Sequence, residues 1–142
     1  MNSHSNLSPA RRSLLGVLAL GAAMYAGSVQ AQAGGQPPIP AGLGMKSWQD
    51  NGAEGRYLLQ VIKGQLPKTV KPITGTVTSD TDCDADAQGL SHCHNTLKLA
   101  DGTELTVIDT HNMHRNRCLG SGDQLALTGL GKPWIVGTLF KR

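Results

Sequence analysis

The sequence predicts an all-β domain: a small five-stranded barrel, closed or partly open, OB-like or SH3-like, with one short helix ahead of it. Three observations carry that expectation. From residue 70 onward, short runs rich in β-branched residues recur between turn signals. Eighteen glycines and only 16% charged residues argue against a long charged helix or a coiled coil. Five strands are few for a sandwich, whereas closing them into a barrel removes exposed sheet edges. The 142 residues have room for one such core.

The first segment reads as an address. Arg11 and Arg12 precede an apolar run from Leu14 to Met24, and Ala31-Gln32-Ala33 offers small residues at a cleavage spacing. A basic start, a short apolar stretch and an A-x-A site define a secretory signal peptide over residues 1–33, removed on export. The arginine pair followed by Leu14 and Leu15 also fits the twin-arginine route, although Ala10 precedes it, so either that route or the general one serves. The expected location is periplasmic or secreted. The apolar run is too short for a stop-transfer helix, so no stable membrane insertion is expected after cleavage. Cleavage of the 142-residue chain after Ala33 leaves 109 residues. With Arg11 and Arg12 gone, 11 basic residues face 10 acidic ones, too even a balance for a nucleic-acid partner.

Residues 34–47, with Gly34, Gly35, Pro37, Pro38 and Pro40, read as a flexible linker to a single barrel domain over 48–142. Over 54–66, Tyr57, Leu58, Val61, Ile62 and Leu66 fall at helical spacing, although 57–62 also reads as a strand. The spacing and the breakers Gly64 and Pro67 favour a short helix. Strands follow at 73–78, 96–99, 105–107, 125–128 and 134–140. Asp101-Gly102 marks the tip of a hairpin between the second and third of these.

Register decides what that hairpin presents. A two-residue loop splits Leu105 and Val107 from Leu97 and Leu99. A three-residue loop puts all four on one face, with Cys93, Asp109, His111 and Met113 beside them. The hydrophobic pattern favours the longer loop. In either register the metal-ligand types gather at the end opposite the turn: Cys83, His92, Cys93, His94, His111, Met113, His114 and Cys118.

Imidazole and thioether together suit copper, above all Cu(I), because soft donors hold soft ions. His111 and Met113 are two residues apart and share a face if extended, as do His92 and His94. The expected metal site is therefore His111 and Met113, completed by His92 or His94. The plainer reading makes the histidines solvated loop residues and Met113 a core filler. The three cysteines predict one disulfide and one free thiol in an oxidising compartment. Cys93–Cys118 and Cys83–Cys93 are both open, and a pairing that includes Cys93 is favoured. Asp80, Asp82, Asp84 and Asp86 alternate without the glycine and glutamate of a calcium loop, and read as a solvated acidic loop.

No nucleophile elbow, phosphate loop or zincin motif is present. Asp109, His111, Asn112, His114, Arg115 and Arg117 contain the residue types of a metal-assisted phosphodiesterase, but so short a chain leaves little structure for a substrate cleft. A non-enzymatic protein is expected. In residue types and barrel size the chain is similar to small periplasmic copper carriers with an OB fold; no motif matches, and no residue roles follow. Two expectations result: an exported binding protein for copper or another soft metal, or an accessory or assembly module that engages another exported protein or a ligand through the barrel face without metal.

Overall fold

The computed structural model describes residues 35–141; the signal-peptide reading of residues 1–33 lies outside them. Six antiparallel strands close into a barrel in the order β1-β4-β3-β2-β5-β6. They are β1 (Arg56–Lys63), β2 (Ile73–Thr81), β3 (Ser91–Leu99), β4 (Glu104–His111), β5 (Gln124–Gly131) and β6 (Trp134–Leu139). Closure is made where Leu58 faces Val136 between β1 and β6. The five expected strands are all present.

The sixth strand, β1, replaces the expected helix over 54–66, and the reason is physical. Tyr57 and Leu59 point into the barrel, while Leu58 joins Trp48, Leu90 and Val136 in a second cluster. A strand buried on both faces loses its alternation and is mistaken for a helix. The second cluster is completed by Ile39, Leu43 and Met45. Residues 35–47, read as a linker, thus carry no regular structure but pack along the barrel. The Trp48 indole donates to the Pro37 carbonyl (2.9 Å), and the ring lies 5.7 Å from that of Trp134.

Leu97, Leu99, Leu105, Val107, Leu125, Leu127 and Leu119 fill the barrel interior. Their bulk requires a small residue opposite. A Cβ on Gly75 would lie 2.6 Å from Leu127 Cδ1. Register shifts after Val61, Val77 and Gly129 bend the strands as closure demands. No helix among the described residues is long and apolar enough to cross a membrane.

Candidate functional site

The β3–β4 hairpin turns through three residues. Leu99 N–H donates to Thr103 O (2.8 Å), and Leu97 faces Leu105. This is the register the hydrophobic pattern favours, and it sorts every functional side chain. Cys93 faces Asp109 and Ser91 faces His111, all buried on the inner face. His92 and His94, one residue out of phase, take the outer face.

Beyond β4 the chain folds back over this end of the barrel. Leu119 is fully buried and plugs it. Three ties fix the returning loop: Tyr57 O–H to Arg117 O (2.7 Å), Asn116 Nδ2 to Asn51 O (2.8 Å), and Arg117 to Asp123 (2.8 Å). The half-buried thiol of Cys118 is thereby carried to the inner-face residues. Cys93 Sγ, a His111 ring nitrogen and Cys118 Sγ lie within 4.8 Å of one another. Cys93 is disulfide-bonded to Cys83, with a Cα–Cα distance of 4.2 Å, and Cys118 is free.

His111 is the most constrained histidine. It has no solvent exposure, and its ring meets Tyr57 edge-on at 6.4 Å. Its Nδ1 lies 3.1 Å from Asp109 Oδ2, close enough for charge attraction but misaligned for a hydrogen bond, and its Nε2 has no partner. Burial pulls the imidazole pKa down, yet the adjacent Asp109 carboxylate more than offsets this, and the net shift is upward. Burial pushes Asp109 up as well, against the pull of His111. Desolvation also raises the Cys118 thiol. Tyr57 is pushed up to about 12, first by burial and then by Asp109.

The four residues grouped by sequence are divided by the barrel wall. His92 is held from both sides, Nε2 to Asp86 Oδ2 (2.9 Å) and Nδ1 to Thr110 Oγ1 (3.0 Å). That bond to His92 leads the causes that hold Asp86 down at about 2. The order acid, imidazole, hydroxyl resembles a catalytic array, but Thr110 is buried, which leaves a clasp for the 82–90 loop. His94 stands outside, 3.5 Å from Asp82. Met113 sits at the lip, 45% exposed, its sulfur accepting from Ser91 Oγ at 2.8 Å. Sequence reasoning counted Cys93 and Cys118 among the metal-ligand types at this end of the barrel but left both out of the expected metal site. The signal for more was present, since Cys93 and His111 share a face in the favoured register.

No family model, curated protein or solved structure matches the chain. The chemistry must be read from the donors. One free thiol, one disulfide sulfur and an imidazole meet here; with the Cys83–Cys93 bridge open they would form a soft set of two thiols and an imidazole, suited to Cu(I) or zinc.

Proposed function

We propose that this is an exported, non-enzymatic protein that binds a soft metal ion, Cu(I) first, at the closed-over end of the barrel. The ligands are Cys93, Cys118 and His111, with Met113 at the lip as an additional soft donor. One observation carries the reading: three donor atoms from β3, β4 and the 112–123 loop meet within 4.8 Å, and the fully buried imidazole among them has a nitrogen without a partner. A buried polar atom left unpaired costs free energy, and a metal would satisfy it.

Cys93 donates only after its bond to Cys83 is reduced. A dithiol reductant supplies two electrons and two protons, and the metal then displaces the thiol protons. The site therefore loads in the dithiol form. Cu(I) titration against a chromophoric chelator tests this on both redox forms. The reading requires stoichiometric binding by reduced protein, weakened on the order of 100-fold or more by oxidation, about 2.7 kcal/mol. If reduced protein fails to compete, the metal reading falls and the accessory module engaging a partner through the barrel face replaces it.

A further inference from the structure

We propose that Cys118 is the internal nucleophile of a thiol–disulfide exchange that moves the bridge of Cys93 from Cys83 to Cys118. The inference needs no metal and does not rest on the metal reading.

Two observations carry it. The free Cys118 Sγ lies within 4.8 Å of Cys93 Sγ, the sulfur at the buried end of the Cys83–Cys93 bridge. At the other end, Cys83 Sγ sits 3.2 Å from Asp80 Oδ1 and 3.6 Å from Thr81 O. Both neighbours are acceptors. A thiol has a proton to give them, and a disulfide sulfur has none. The Asp80 carboxylate is held for this role by Asn95 Nδ2 at 2.9 Å. The surroundings of Cys83 are thus built for a thiol, the state it reaches when Cys118 takes its place.

The step balances without an outside oxidant or reductant. The Cys118 sulfur bonds to Cys93 Sγ, the Cys83–Cys93 bond breaks, Cys118 loses a proton and Cys83 gains one. Oxidation level and charge are unchanged. The free thiol passes from the barrel mouth to the outer loop, where Asp82 and Asp84 flank it, both exposed.

The test is a disulfide map of metal-free protein trapped with N-ethylmaleimide under native conditions, acid-quenched and digested with trypsin. Cys83 and Cys93 fall on one tryptic peptide, 69–98, and Cys118 on another, 118–141. Exchange predicts a population in which these two peptides are joined and Cys83 carries the label. Cys118→Ser loses that species, and Cys83→Ser holds all of its bridge between the two peptides. Wild-type protein labelled only on Cys118, with the bridge wholly inside 69–98, overturns the proposal. So do two free thiols in folded Cys83→Ser. Should that variant not fold, the wild-type map decides alone.

Discussion

The two faces of the β3–β4 hairpin hold the same residue types and use them differently. On the outer face, His92 is fully partnered by Asp86 and Thr110 and pins a loop. On the inner face, His111 has an acidic neighbour at 3.1 Å, a sulfur-rich surround and a nitrogen with nothing to bond. One step along a strand separates the two situations, because successive side chains point to opposite sides. A histidine on a barrel wall is therefore judged by its parity before its neighbours in sequence. Outside, the Asp86 carboxylate and the Thr110 hydroxyl satisfy His92, and His94 keeps part of its ring in solvent with Asp82 3.5 Å away. Inside, only another built-in group or a ligand can satisfy a histidine.

The largest expected difference between the faces is in stability. Asp109→Ala leaves His111 buried without its counter-charge and frees Asn51 Nδ2 from one acceptor. Breaking a buried pair in this way should cost about 3–5 kcal/mol. His92→Ala removes a half-exposed contact and should cost about 1 kcal/mol or less. Urea unfolding at constant m-value reads both. Equal losses would show that the inner pair is no more demanding than the outer clasp.

Metal affinity should separate the faces next. In reduced protein, Cys118→Ser and His111→Asn should each weaken Cu(I) on the order of 100-fold, about 2.7 kcal/mol. His92→Ala and His94→Ala should change it less than about threefold, under 0.7 kcal/mol. The reverse ranking, by competition titration, would return the site to the outer histidines.

Much of this was legible in the sequence, and what was not has physical causes. The hairpin and its three-residue loop followed from Leu97, Leu99, Leu105 and Val107 sharing one face. That register already placed Cys93 with His111. The helix over 54–66 failed because Leu58 is covered from outside by residues from a segment read as a linker, a long-range contact that no local period encodes. The sequence already brought Cys118 to this end of the barrel, but its approach to Cys93 and His111 was not readable, for a similar reason. Its position depends on Tyr57, Asn116 and Arg117 tying down an irregular loop. Strand parity is local and readable; the return path of a loop is not.

The faces should also answer pH with opposite signs in the metal-free protein. Asp86 is depressed to about 2 in the fold, so its contribution is present above its ordinary value of 3.8 and is lost as pH falls through about 2. Asp109 and His111 are both raised, so the fold retains protons that the unfolded chain releases. For His111 the contribution is complete below 6.5 and is lost as pH rises through the higher folded value. Asp80 raises both groups of the pair further by its charge. Stability against pH should therefore slope down on the alkaline side in wild type and less so in Asp109→Asn. Asp86→Asn should flatten the acid limb instead. Identical profiles for the two variants would remove the distinction.

Met113 gives the finest test, because it belongs to neither face. Its sulfur touches Ser91, the inner-face partner of His111, while nearly half of the residue is exposed. Met113→Leu keeps volume and apolarity, so stability should change by less than about 1.5 kcal/mol. What it removes is the thioether. If the lip sulfur completes the inner donor set, Cu(I) affinity should fall, by up to about tenfold or 1.4 kcal/mol, less than for Cys118→Ser because Met113 must swing in from solvent. A loss as large as that of Cys118→Ser would make the His111–Met113 pair the centre of the site. An unchanged affinity would assign Met113 to the wall and leave the two cysteines and His111 to hold the metal alone.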